Sequence, residues 1–453
     1  MKHRPVSAIL LLFAVIACLT SCVTSEKTIP VFPAISSYNV VMHNIYDPFV
    51  RPAILRVCSL SSEVDGQTVH PKLVADSSPE TGNEIIIGST TRAETRNVDF
   101  GLGPMDYTIR ILKNGKIIIQ GGSRSSTAAG AQKFAEMIND GSIQSLSEFE
   151  YTYRFFEHHE TDPLSDFGSA ESQALILQWQ EQFVSPAWGG PDRDLKESLY
   201  ALSHKLIPGK GRISVFAHRG DMSHYPENSL PGVIAAIMSG ADAVEVDYRY
   251  TKDYVPVLMH DGNLTRTTDW AEKAGKNGLP DSFVISDWTY DELRQLNLLD
   301  YYGNVTEYRI PLLYDALKLA NGRIQVAFDD KSSSGTGIED EYLPLAAGSG
   351  SCSSLIMVVC QKLKKLDVLD GLIDRNLLLF AETCMRTGSF IGSYGFYNDS
   401  TLLSKVNSDY LSLAEDAEFW DYLQKIGKRY IGTNQCYKLS LYMREKGMKA
   451  WEY

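Results

Sequence analysis

The chain has 453 residues, more than one typical domain, and its 44% hydrophobic and 22% charged content is ordinary for a soluble globular protein. A formal net charge of −13 excludes a general nucleic-acid binder, because phosphate backbones are gripped by basic surfaces. A small phosphorylated substrate held in a local pocket is compatible with that charge.

The first residues read as a targeting segment. Lys2, His3 and Arg4 give a basic start, and "VSAILLLFAVIACLTSC" follows as an apolar run too short for a comfortable membrane span. Leu19-Thr20-Ser21-Cys22 resembles a bacterial lipobox, which implies cleavage after residue 21 and lipid on the Cys22 sulfur. The alternative is an ordinary secretory signal with a chance cysteine. The lipobox reading makes the protein an exported lipoprotein of a bacterial cell envelope, held to the membrane by its N-terminus, with no obligate protein partner evident. Seven cysteines, widely spaced and without a CxxC pair, suggest no zinc site. One or two disulfides and buried free thiols both stay open.

Residues 22–37 read as a tether, and a small α/β domain is expected over 38–160. "NEIIIGS" reads as a buried strand. "DYTIRILKNGKIIIQGG" reads as two strands turning at Asn114-Gly115, a strong hairpin signal. "SSTAAGAQKFAEMIND" reads as an amphipathic helix that begins at Ser or Thr and stops before Gly141. This stretch resembles the non-catalytic domain that precedes the barrel in some glycoside hydrolases. Gly121-Gly122-Ser123, ahead of the helix, offers either an anion cradle or a plain strand-to-helix turn. Residues 161–210 read as a helical connector around "SAESQALILQWQEQF".

From about residue 211 to 453 the rhythm changes. Short apolar runs alternate with helical stretches: "ISVFAHRG", "AVEVDYRYT", "VPVLMHD", "IQVAFDDK", "NLLLFAET", "GSYGFYN", "DYLSLAED" and "RYIGTN" as strands, with "SLPGVIAAIMSG", "LIMVVCQKLKKLDVLDG" and "AEFWDYLQKIGK" among the helices. About eight strands in this length predict a (β/α)8 barrel, whose chemistry sits at the C-terminal strand ends. Four of those ends are polar. They carry His218-Arg219-Gly220, then Glu245 and Asp247, then His260-Asp261, then Asp329-Asp330-Lys331. Glu245 and Asp247 are two apart, so both face one side of a strand.

Neighbouring carboxylates repel unless a cation lies between them, and oxygen ligands suit Ca²⁺ or Mg²⁺. Arg and Lys suit the other oxygens of a phosphate. Two histidines can serve as base and acid on either side of phosphorus. The set points to metal-assisted cleavage of a small phosphodiester.

The segment Ala217 to Asp269, with H-R-G, P-E-N, G-A-D-x-x-E-x-D, T-K-D, P-V-x-x-H-D and L-x-R-T-T in order, resembles the glycerophosphodiester phosphodiesterase family. That resemblance implies a barrel that hydrolyses glycerol-linked phosphodiesters to an alcohol and glycerol phosphate. It implies His218 and His260 as the catalytic histidines; His218 is favoured as base and His260 as acid, with the reverse assignment left open by the sequence. Arg219 and Lys331 then bind phosphate, Glu245, Asp247 and Asp329 bind the metal, and Glu227 and Asn228 give polar support.

Departures from the pattern are Asp329 for a glutamate, Asn434 for an aspartate, Ser229 for a threonine and Tyr254 for a turn glycine. His224 has no motif position and reads as a rim residue. Trp288 and Trp420 read as packing. Residues 332–354, rich in Gly and Ser, read as a loop at the catalytic face, either a lid or an insertion. Two rival functions stay open: a related barrel phosphodiesterase acting on a phospholipid headgroup or phosphorylated glycan, and a degenerate barrel acting as a surface binding module.

Overall fold

The computed structural model describes residues 35–47, 49–144, 148–159, 214–320, 324–331 and 430–448, with short pieces at 345, 356–358, 390–392, 417 and 420–421. The expected signal peptide, Cys22, most of the tether, the connector helix and the 332–354 loop lie outside these residues, apart from Leu345.

The N-terminal unit is a six-stranded sheet with helices on one face. Its strands are β1 (Asn39–Met42), β4 (Lys72–Ala75), β5 (Glu84–Ile87), β6 (Tyr107–Ile111), β7 (Ile117–Gly121) and β8 (Phe149–Tyr153), in the spatial order β4-β1-β5-β7-β6-β8. A hairpin of β2 (Ser62–Val64) and β3 (Gln67–Val69) stands apart from it. Alternation decides which side chains enter the core: Ile85, Ile87, Ile117 and Ile119 pack with Ile54 and Val57 of α1 (Arg51–Cys58) and Phe134 and Ile138 of α2 (Arg124–Asn139).

The Asn114-Gly115 hairpin forms as read, with β6 antiparallel to β7 and Gly115 at φ 85°. Helix α2 begins at Arg124, one residue ahead of the stretch read as helical. Ser123 caps it by accepting from the Ser126 amide, and Gly141, at φ 77°, follows its end. Gly122 has a packing reason: a Cβ there would lie 1.9 Å from the Gly103 carbonyl oxygen. The turn reading therefore suffices for this glycine.

The second unit is a parallel sheet. Its path runs β15 (Ile356–Val358), β14 (Gln325–Asp330), β10 (Ala243–Tyr250), β9 (Ser214–His218), β17 (Tyr430–Thr433), β16 (Phe390–Gly392), each neighbour parallel to the next. The unit's last strand, β17, lies beside its first, β9. That is the neighbour order of a closing α/β barrel. The strands expected over 376–383 and 409–416, and all but the first residue of the one expected over 392–398, lie outside the described residues.

Two expectations need correction. "VPVLMHD" is not a barrel strand. Its β11 (Pro256–Leu258) runs antiparallel to the far end of β10, with Tyr250 opposite Pro256 and Tyr248 opposite Leu258. A five-residue return, 251–255, allows only a hairpin, since a parallel crossover needs a dozen residues or more. The stretch read as a helix from Leu355 instead starts as β15, because a short apolar run fits either period. An antiparallel pair, β12 (Asn297–Leu299) and β13 (Val305–Arg309), lies outside the barrel path.

Helices α3 (Leu230–Met238), α4 (Leu313–Ala320) and α5 (Cys436–Glu445) cover the outer sheet face, where Val215, Ala217, Val244, Val246, Tyr248 and Ile431 meet Val233, Ile237, Leu317 and Leu439. Trp288 and Trp420 are buried, as read.

The two units touch through aromatic side chains. Phe49 lies 4.3 Å from Tyr250 and 5.8 Å from Tyr254, and Phe156 lies 4.7 Å from Tyr314, centroid to centroid. Tyr254 holds φ 62°, the conformation a turn glycine would supply, so its bulk serves this contact at a strained position.

Candidate active site

The inner face of the sheet follows from the outer one. Val244, Val246 and Tyr248 face the helices, so Glu245 and Asp247 face the opposite way. Register then decides their neighbours. Glu245 pairs with His218 on β9, and Asp247 pairs with Asp329 on β14. Four residues from three chain segments are thereby placed on one face at one end of a parallel sheet.

His260 arrives by a different route from the one expected. The Met259 amide donates to the Asp247 carbonyl at 3.0 Å, so the β10–β11 hairpin delivers residue 260 back beside the acidic strand end. Arg249 ties this return to β14, donating from Nε to the His260 carbonyl at 2.8 Å and from Nη1 to the Lys331 carbonyl at 3.0 Å.

One ligand oxygen each from Glu245, Asp247 and Asp329 lies within 4.8 Å of the others. Glu245 and Asp247 are buried, and Asp329 is partly exposed. Asp329 joins the cluster directly despite its short side chain, and Asp330 is not part of it. Burial, and then the charges of Asp247 and Asp329, push the Glu245 carboxyl well above the usual carboxylate range. Burial would also raise Asp247, but Arg219 and Lys331 hold it below its ordinary value. Such a set fits a hard divalent cation such as Ca²⁺ or Mg²⁺: three carboxylate oxygens converge, and one is short of positive charge.

Cations and amides surround this cluster. Arg219 Nε lies 3.0 Å from Asp247, its Nη1 donates to Glu227 at 3.1 Å, and its backbone amide donates to Glu245 at 3.1 Å. Lys331 reaches Asp247 at 3.0 Å and also pairs with Asp329. Asn228 clamps Asp247 both ways: its Nδ2 donates to the carboxylate at 2.9 Å, and its Oδ1 accepts from the Asp247 amide at 2.9 Å.

Arg219 and Asn228 both sit at positive φ, 57° and 54°. Non-glycine residues rarely adopt this conformation, and it concentrates where surrounding structure fixes a functional geometry. Gly220 is needed because the loop presses on α3; a Cβ there would lie 2.7 Å from the Gly232 carbonyl carbon. His224 is half-exposed and bonded to Asp221 at 2.8 Å, a rim residue as read.

The two histidines differ. His218 is nearly buried. Its Nδ1 lies 2.7 Å from Asn434 Oδ1, and its Nε2 lies 4.0 Å from Glu245. Burial and the nearby Arg219 charge push its pKa down to about 3, so the ring is neutral at pH 7. His260 is 32% exposed, and its Nδ1 lies 2.6 Å from Asp261. Arg266 donates to Asp261 at 2.6 Å and to both oxygens of Glu227 at 2.7 Å, and Glu227 in turn holds Arg219. Arg266 so connects the His260 side of the site to the Arg219 side.

Every predicted site residue among those described lies in this assembly. Three members were not singled out from sequence. Asp261 and Arg266 stand inside the P-V-x-x-H-D and L-x-R-T-T motifs, which by themselves give them no role. Asn434 reads in the sequence only as a departure from the pattern, because its partner is 216 positions away.

Residues 218–341 match the model of the glycerophosphoryl diester phosphodiesterase family. The chain is similar to Glycerophosphodiester phosphodiesterase 1 of Mus musculus, 32% identical over 165 residues, covering 34% of this chain and 46% of the relative. It is also similar to the glycerophosphodiester phosphodiesterase of Bacillus altitudinis, 36% identical over 110 residues, covering 24% of this chain and 40% of the relative. The chain spans about half the length of the curated relatives it matches, or less. Among solved structures, an Oleispira antarctica phosphodiesterase in complex with the product sn-glycerol-3-phosphate aligns at 18% identity and TM-score 0.36, over 53% of this chain and 99% of that one.

Proposed function

We propose that the chain hydrolyses glycerophosphodiesters to an alcohol and glycerol phosphate. The observation that carries this reading is the convergence of three carboxylates, two histidines, an arginine and a lysine at one sheet end, inside the segment that matches the family model. Glu245, Asp247 and Asp329 would hold a divalent cation, Ca²⁺ or Mg²⁺, which when bound supplies positive charge to a phosphate oxygen. Arg219 and Lys331, which border that cluster, would meet the remaining oxygens.

His218 is neutral at pH 7 and turns Nε2 toward the acidic cluster, so it suits the role of base. It takes the proton from the attacking oxygen, either a glycerol hydroxyl that forms a cyclic phosphate or a water. His260, backed by Asp261, gives a proton to the leaving alcohol. Glu227 and Asn228 hold Arg219 and Asp247 in place.

The basic start and Cys22 support an anchored, envelope-facing protein, and loss of radiolabelled lipid in Cys22→Ser tests that part. The N-terminal unit is read as the non-catalytic domain its pattern resembles. The activity is tested with a panel of glycerophosphodiesters, with Ca²⁺ or Mg²⁺ and against chelator. Release of glycerol phosphate that chelator abolishes is expected. Metal-independent silence across the panel, with cleavage of intact phospholipids or phosphorylated glycans, would transfer the reading to the rival substrate class.

A further inference from the structure

We propose that Asn434 is a positioning residue that holds His218 in the Nδ1-protonated tautomer, leaving the Nε2 lone pair facing the acidic site. The fold brings the pair together. β17 and β9 are parallel neighbours with Thr433 opposite Ala217, so the next position on each strand sets Asn434 beside His218. The contact is 2.7 Å between Nδ1 and Oδ1.

An amide oxygen can only accept, so the ring must carry its proton on Nδ1. The other nitrogen, Nε2, lies 4.0 Å from Glu245 and in that tautomer carries no hydrogen. An imidazole whose tautomer is fixed from behind is ready to take a proton without first rearranging. The amide does this without adding a fourth carboxyl group next to Glu245, Asp247 and Asp329. On the far side of the site, Asp261 performs the same service for His260 with a carboxylate. The two histidines are therefore oriented by partners of different charge.

This inference rests on the proposed activity only for its kinetic arm. The tautomer is read directly by long-range ¹H–¹⁵N spectra of the full chain labelled on histidine, with His218 assigned by its loss in His218→Ala. Spectra are taken at pH 7 with Ca²⁺, with Mg²⁺ and with chelator. Wild type is expected to show Nδ1 protonated and Nε2 bare. Asn434→Ala should mix the tautomers, and Asn434→Asp, which keeps an acceptor, should retain the wild-type form.

In turnover, Asn434→Ala should lower kcat about 10- to 100-fold with KM little changed, as expected for loss of a partner that orients a reacting group. The opposite tautomer in wild type, with hydrogen on Nε2, would overturn the proposal. So would an unchanged spectrum and kcat in folded Asn434→Ala. Should Asn434→Ala not fold, the wild-type spectrum and Asn434→Asp decide the matter. Absence of turnover in wild type would count against the proposed function and leave the tautomer measurement standing.

Discussion

Two buried clusters of opposite charges among the described residues invite comparison, and one of them has the form of a reaction site. In the N-terminal unit, Arg92 donates from Nε and Nη2 to both oxygens of Glu84 at 3.0–3.2 Å and from Nη1 to the Asp76 carbonyl at 2.8 Å. Lys116 reaches Glu84 at 3.4 Å and Glu94 at 3.0 Å, and also pairs with Glu80. Asp76 accepts from the amide and hydroxyl of Thr91. There the cations stand between the acids.

At the end of β9, β10 and β14 the cations stand around the acids instead. Among the described residues, only Glu245, Asp247 and Asp329 bring three ligand oxygens within 4.8 Å of one another. The lesson is that the number of buried charges does not identify a site. What does so is a place where like charges are held together by register and left for a guest to balance.

The largest test of this contrast exchanges the two kinds of damage. His218→Ala or His260→Ala should lower kcat by about 10² to 10⁴, as for a lost general base or acid, while the melting temperature stays close to wild type. Arg92→Ala should do the reverse. It removes the guanidinium that spans both oxygens of Glu84, leaving that fully buried carboxylate with only Lys116 and the Thr81 amide, and breaking one partner from such a pair costs about 3–5 kcal/mol. Chemical denaturation should show that loss, and kcat per folded molecule should be unchanged. A drop in kcat for Arg92→Ala at full folding would erase the distinction between the clusters.

Glu245→Gln sharpens it at an intermediate scale. The folded-state pKa of Glu245 is raised, so above its unfolded value the folded chain retains a proton that the unfolded chain has released. In chelator, wild-type stability should therefore fall as pH rises through that window, and Glu245→Gln should remove this part of the slope and melt higher at neutral pH. Added Ca²⁺ or Mg²⁺ should reverse the order. A cation at 100 times its Kd stabilises the folded state by about 2.7 kcal/mol, and the variant loses part of that gain. Identical melting profiles for the two proteins under both conditions would deny that the cluster binds a cation.

The sequence made much of this legible, for reasons particular residues show. Alternation in β10 puts Glu245 and Asp247 on one face, and Asn114-Gly115 marks the β6–β7 hairpin. Chain direction was not legible. "VPVLMHD" has the composition of any buried strand, and only the pairing of Tyr250 with Pro256 shows that it turns back. His260 still reaches the site, because a hairpin returns its end to where the first strand left. Partners across the chain were hidden as well. Nothing near Asn434 points to His218 until β17 is set beside β9. Arg266 could be seen in a motif, but its bonds to Glu227 and Asp261 depend on two loops meeting.

The smallest expected effect compares two cations at partly or fully exposed positions. Lys113 lies 3.8 Å from Glu148, with both side chains mostly exposed, and Lys113→Ala should change neither stability nor turnover measurably. Arg266 is also about half exposed, but its planar fork spans both oxygens of Glu227 while Nε holds Asp261. Arg266→Lys keeps the charge and loses that geometry. It should lower kcat/KM by about 10-fold through Arg219 and His260, the groups that Glu227 and Asp261 hold. If the lysine variant matches wild type, charge alone suffices at this position, and the bridge between the two sides of the site has no part in placing them.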